Sequence, residues 1–374
     1  MSFVGGVSVV SQGKRKSNFE LLRIVAMCMI VLHHVAVHGV MHVNEGGYAY
    51  EVWRVGSLAN KVWTCLLVPG GEVGVALFFM ITGYFCYAKS KVSVRRVVLE
   101  TWFYLTLTTV ICLCLSDQEY TFAETLHAVK RLLMPIAGSG YWFATVYVVI
   151  ILLLPYVNQR LGSMSVRGLF RFLVLVLVLW YAWGRVGPYY DFIRGLFFYA
   201  LGTWLGRSDR LRSMPGTLCV VLFVLGWTLC AAAQYVVAEQ TGLQDDAAVL
   251  MVEGATLVRT TVAVPTCAIC LFSLFSSLHM GSREAINKLA SCMFGVYLIH
   301  DAPLVRHLLW EGDTGWGTRL FANAWFPVTS LALAIAVLVA CVVVDVLRQR
   351  FVEPPLMRLA DGILARIELS LTKE

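Results

Sequence analysis

Runs of apolar residues about twenty long, separated by short polar or glycine- and proline-bearing stretches, recur along most of the chain. A helix needs about 20 predominantly apolar residues to cross the hydrocarbon of a bilayer. That ruler predicts about ten transmembrane helices, at 19–41, 65–88, 97–116, 141–158, 169–184, 189–206, 216–237, 255–278, 289–309 and 324–347. Glycine, proline or a short connection interrupts the second, fifth and sixth. The expected fold is all-α, a polytopic membrane helix bundle. Residues 1–17 read as a cytoplasmic segment, 18–359 as one transmembrane domain and 360–374 as a cytoplasmic tail. Lys14-Arg15-Lys16 ahead of an apolar run has the form of a signal peptide. No small-x-small cleavage site follows, so the run reads as a retained first span.

Composition agrees with the pattern. Of 374 residues, 59% are hydrophobic and 14% charged, against about 45–50% and about 25% in soluble domains. The formal charge of +7 gives no reason to expect nucleic-acid binding, because in a membrane protein the side on which cations fall carries the information. With ten spans, twenty of the 30 Lys and Arg residues lie on the side of the termini and nine on the other, Arg23 being inside the first helix. The positive-inside rule therefore places both termini in the cytoplasm. Two outer segments are longer than turns: 117–140, with an amphipathic stretch suited to the interface, and the acidic 238–254. Most of the 11 cysteines sit within apolar runs, where thiols behave as small hydrophobes. Cys267-Ala-Ile-Cys270 has redox or metal-ligand spacing, but no second pair accompanies it, and packing is the simpler reading.

The first predicted helix is unusual in holding Arg23, His33, His34 and His38. Ionisable side chains at membrane depth need a partner, an aqueous cavity or a chemical task. Arg23 and His34 are eleven residues apart, three turns plus about 20°, so they share a face roughly 16 Å apart along the axis. His38 joins that face, whereas His33 points about 100° away, toward a hydrogen bond with a neighbouring helix. A cation near the cytoplasm with an imidazole above it suits an anionic cofactor below and proton transfer above. Metal ligation is the rival, since His34, His38 and His42 repeat every four residues; no matching pair occurs on another helix, and no metal or prosthetic group is predicted.

Asn18-Phe-Glu-Leu-Leu-Arg23, with His34 ten intervening residues later, resembles the opening of the acyltransferase 3 family of bacterial membrane proteins. Gly74-Val-Ala-Leu-Phe-Phe-Met-Ile-Thr-Gly-Tyr-Phe85 is similar to its second-helix signature, with Thr82 where serine is usual. The basic stretch Lys89 to Arg96, the aromatic Tyr141-Trp142-Phe143, Tyr297-Leu-Ile-His300 and Phe351-Val-Glu353-Pro354 resemble further motifs in the right order. The resemblance covers about residues 17–359. It implies transfer of an acyl group, commonly acetyl from acetyl-CoA, to hydroxyls of cell-surface or lipid-linked glycans, in the bacterial cytoplasmic membrane.

On that reading Arg23, Arg95 and Arg96 are the candidates for the donor's phosphates, although Arg95 and Arg96 equally suit a topology signal. His34 would act as general base or as acyl carrier. Trp142, Tyr141 and Thr82 are candidate oxyanion donors, and Glu72 the candidate carboxylate orienting the imidazole. Tyr141 and Trp142 also fit an interfacial aromatic belt. His38 and His300 are further cavity candidates, with Asp301 following His300 within a span. Glu353 with Pro354-Pro355 reads as a helix stop plus a surface salt bridge. A transporter or flippase of a lipid-linked sugar with proton-coupled histidines is the alternative, although the paired, broken-helix halves common in transporters are not evident. A sensor whose family site has decayed is a third. The acceptor, the acyl length and any oligomer are left open by the sequence.

Overall fold

The computed structural model describes residues 16–41, 48–89, 92–115, 126, 129–130, 132–136, 141–182, 189–208, 213–241, 258–302, 305–306, 309–310 and 316–371, and is all-helical over them. Helices α1 (Ser17–Val37), α2 (Tyr48–Val55), α3 (Leu58–Leu67), α4 (Pro69–Cys86) and α5 (Arg95–Leu115) come first. Helices α6 (Trp142–Ser163), α7 (Val166–Ala182), α8 (Tyr189–Arg207) and α9 (Gly216–Thr241) follow. A π-helical turn at Val258–Ala263 leads into α10 (Val264–Ser277), then come α11 (Glu284–Ser291), α12 (Met293–His300) and α13 (Trp316–Phe321). The chain ends with α14 (Phe326–Leu347), a π-helical turn at Arg348–Val352 and α15 (Glu353–Leu371). The outer segment 117–140 lies largely, and the acidic stretch from 242 onward wholly, outside the described residues.

Among the described residues, five segments are long and apolar enough to span a bilayer: Ser17–Val37, Leu58–Cys86, Trp142–Ser163, Gly216–Gln240 and Phe326–Arg366, with Thr261–Ser277 a shorter apolar helix. Of the remaining expected spans, 97–116 and 189–206 form as α5 and α8 over nearly those ranges. Helix α7 covers most of the span expected at 169–184, up to where the described residues stop at Ala182. The span expected at 289–309 is broken: α11 gives way to α12 at Cys292, and α12 ends at His300. Two segments are more helical than expected. Helix α3 runs into α4 through Val68, which keeps right-handed helical angles; Pro69 opens α4 because it lacks the N–H that would extend α3's ladder.

The second is a correction. Glu353-Pro354-Pro355 is no helix stop, since α14 passes through the π-turn directly into α15. Both prolines fall in the first turn of α15, so the two N–H groups they lack are missing at the junction with the π-turn, not in the interior of either helix.

Helix α4 is the hub, packing most extensively on α8 and α1. Small residues permit the approach: a Cβ on Gly202 of α8 would collide with the Met80 carbonyl, and one on Gly74 would lie 2.7 Å from the Ala26 carbonyl of α1. Between apolar helices in lipid, close backbone contact of this kind replaces the hydrophobic effect as the source of packing energy. Cys267 and Cys270 are buried on α10, with the Cys267 thiol against the Phe223 carbonyl of α9 at 3.6 Å, as a packing role requires.

Candidate active site

One face of α1 builds the floor of the site. Met27, Ile30 and His34 line a small cavity together with Val75 and Phe78 of α4, Trp142 and Phe143 of α6, Phe294 and Tyr297 of α12, and Asp301 just beyond it. The first three continue the helical stripe begun by Arg23, at intervals of four, three and four residues. The walls are therefore apolar, and the groups able to do acid–base or hydrogen-bonding chemistry are His34, Asp301, Tyr297 and Trp142. That is the usual make-up of a small-molecule site, apolar walls with a few convergent polar groups.

The imidazole of His34 is met by α12, which packs against α1. Its Nδ1 lies 2.9 Å from Nε2 of His300, and the fully buried His300 places its own Nδ1 2.5 Å from the Val296 carbonyl one turn back. Asp301 Oδ1 lies 3.9 Å from His34 Nδ1, 3.7 Å from His38 Nε2 and 3.8 Å from the Arg306 guanidinium. His38 thus shares His34's environment without lining the cavity. His33 stands apart as its angle requires: its Nδ1 is 2.6 Å from the Val68 carbonyl, and its ring fills the space above Gly71 of α4.

His34, His38 and Asp301 offer ligand atoms within 4.8 Å of one another. A metal ion there would compete with the Arg306 guanidinium, which lies 3.8 Å from the same Asp301 oxygen. The set also forms a network of ionisable groups around one Asp301 oxygen, at 3.7–3.9 Å.

The other sequence candidates separate. Trp142 lines the cavity, and the Arg194 guanidinium of α8 lies over its ring at 4.6 Å, bonded in turn to Asp191 at 2.8 Å. Tyr141 is 1% exposed, which removes it from any interfacial belt, and its hydroxyl donates to the Leu298 carbonyl at 2.8 Å. Thr82 donates to the Phe78 carbonyl one turn back at 2.8 Å and faces the Tyr147 hydroxyl. Neither lines the cavity. Glu72 sits in the first turn of α4, and Asp301 brings a carboxylate oxygen to 3.9 Å from His34 Nδ1. Each arginine proposed for the donor has an acidic neighbour: Arg23 bonds Glu20 at 2.8 Å, Arg96 bonds Glu353 at 2.9 Å, and Arg95 pairs with Asp361.

Sequence reasoning gave no role to Tyr297, Phe294, Arg194 or Arg306. For Tyr297 a signal was present: it precedes His300 by three on one helix, so the two share a face. The others are brought in by packing between distant helices and have no local signature.

A family model described as an acyltransferase domain, Acyl_transf_3, matches residues 16–345. No curated protein and no solved structure matches the chain. The matched stretch starts one residue before α1 and ends within α14, so it contains the cavity, both facing histidines and Asp301. The chain belongs to the Acyl_transf_3 acyltransferase family, and its apolar helices make it a membrane acyltransferase.

Proposed function

We propose that the protein moves an acyl group, acetyl in the simplest case, from acyl-CoA on the cytoplasmic side to a hydroxyl of a cell-envelope polysaccharide or lipid-linked glycan, in the bacterial cytoplasmic membrane. The observation that carries this reading is the position of His34, whose imidazole lines an apolar cavity on the same helical stripe as Arg23. Arg23 stands nearer the N-terminal end of α1, where a phosphate-bearing donor would enter, and a short acyl chain suits walls of Met27, Ile30, Val75 and Phe78.

Chemically, the acceptor oxygen forms a bond to the thioester carbonyl carbon as His34 removes the hydroxyl proton. The tetrahedral oxyanion takes hydrogen bonds from donors in the cavity wall, for which the lining residues Tyr297 and Trp142 are the candidates. The carbon–sulfur bond then breaks, and the proton held by His34 passes to the departing thiolate, giving the ester and coenzyme A. Arg23, Arg95 and Arg96 would exchange their acidic neighbours for the donor's phosphates.

The test is transfer or hydrolysis of acetyl-CoA by the purified protein, with coenzyme A binding measured alongside, for the wild type and His34→Ala. The reading expects both proteins to bind donor and only the wild type to consume it. A wild type that neither binds nor consumes acetyl-CoA or longer acyl-CoAs, with candidate glycans supplied, overturns it.

A further inference from the structure

Resting on the reading of His34 as the base, we infer that His300 is the positioning residue that fixes His34 in its Nδ1–H tautomer and so leaves Nε2 bare for the acceptor proton, with Asp301 as the counter-charge.

The argument is one of hydrogen counting. A backbone carbonyl only accepts, so the His300 nitrogen 2.5 Å from the Val296 oxygen, Nδ1, carries a hydrogen. His300 is fully buried, and no carboxylate among the described residues pairs with its ring; the burial of an unpaired charge is avoided, so the ring is neutral and holds that hydrogen alone. Its Nε2 then presents a lone pair to His34 Nδ1 at 2.9 Å. Two lone pairs do not face each other at that distance, so His34 Nδ1 is the donor. A neutral imidazole has one ring hydrogen, and Nε2 of His34 is left unprotonated.

The arrangement follows the logic of a base oriented by a third group, as the carboxylate orients the imidazole of a Ser-His-Asp triad. Here the orienting group is itself an uncharged imidazole. Tautomer control and charge compensation are therefore divided between neighbours: His300 fixes the hydrogen, and Asp301, 3.9 Å from His34 Nδ1, faces the imidazolium once Nε2 has taken the acceptor's proton. Arg306 and His38 hold the same Asp301 oxygen at 3.8 and 3.7 Å. No proton passes to His300; the one gained at Nε2 is returned to the leaving sulfur.

The test begins without substrate. Magic-angle-spinning NMR of the full chain in lipid, with ¹³C,¹⁵N-histidine and His34 assigned as the signal absent from His34→Asn, reads the ring tautomer directly. Wild-type His34 is expected as the neutral Nδ1–H form; the Nε2–H form would overturn the assignment whatever the activity. Because no donor is present, failure of the acyl-transfer reading and failure of this one are distinguishable. On the enzyme, His300→Leu is expected to lower kcat by roughly tenfold to a hundredfold with KM for acyl-CoA unchanged. His300→Gln, whose Oε1 can accept the same hydrogen, is expected to recover most of that loss. Equal losses in kcat for both variants, at wild-type thermal midpoints, would overturn the positioning role.

Discussion

A side chain on Gly295 would need the space that the Asp345 carboxylate occupies. Gly295 lies on α12, five residues before His300, and Asp345 lies near the end of α14. Asp345 is in turn held from several directions: Oδ1 accepts from Tyr104 and from Arg348 at 2.7 Å, and Oδ2 accepts from Gln349 at 2.7 Å. Arg348 also reaches Glu100 and Glu353, each at 3.0 Å. This buried network joins α5, α14 and α15 and meets α12 at its one glycine, which sets the height of α12 in the bundle and with it the height of His300 opposite His34.

Gly295→Ala should therefore destabilise the fold by roughly 1–3 kcal/mol, the usual range for forcing extra volume into a filled interior. The thermal midpoint of the purified protein is the measurement, and activity should fall with it because α12 carries His300. An unchanged midpoint would mean that the network tolerates displacement of α12.

Asp345→Ala should cost more, about 3–5 kcal/mol, since removing one partner of a buried ion network leaves the others uncompensated. Glu100 and Glu353 remain to Arg348, which argues for the lower end. Thermal unfolding of this variant beside Arg95→Ala makes the comparison sharp: the Arg95–Asp361 pair is largely exposed, and its loss should change stability by no more than about 1 kcal/mol.

His33 and His34 are adjacent yet should behave differently. His34→Ala is expected to lower the transfer rate by about 10²–10⁴, the range for loss of a general base, with donor binding kept. His33→Ala loses a hydrogen bond to the Val68 carbonyl and should cost about 1 kcal/mol of stability with activity retained. Rates and midpoints for the two variants decide it.

Phe78→Ala should widen the acyl cavity. If the cavity takes the acyl chain, preference should shift toward longer acyl-CoAs, each added methylene being favoured by up to about 0.8 kcal/mol. Competition between acetyl-CoA and its homologues gives the ratio. A variant with wild-type chain preference would place the acyl group elsewhere.

Arg23→Gln should raise KM for acyl-CoA, by about tenfold if one charge-assisted hydrogen bond to phosphate is lost, and the effect should shrink as salt is added. Donor titrations at two ionic strengths test it.

Much of the site was legible before the structure. Helical periodicity is local, so the shared face of Arg23 and His34, and the divergence of His33, follow from residue spacing alone. The apolar runs likewise specify a membrane helix bundle, because a chain in lipid must satisfy its backbone internally. The partners were not legible. His300 lies 266 residues from His34; no local pattern marks the distant Leu298 carbonyl that the Tyr141 hydroxyl bonds; and the proline pair at 354–355 carries a stop signal although α14 runs on into α15. Lipid tails are as apolar as the helices they surround, so hydropathy marks where a helix crosses but not which flank meets which neighbour. That choice rests on side-chain shape and on glycines at close approaches such as Gly295 and Gly202. It is made only when the helices come together, and there the tertiary structure decided that His300 and Asp301 surround the imidazole that the sequence had already placed.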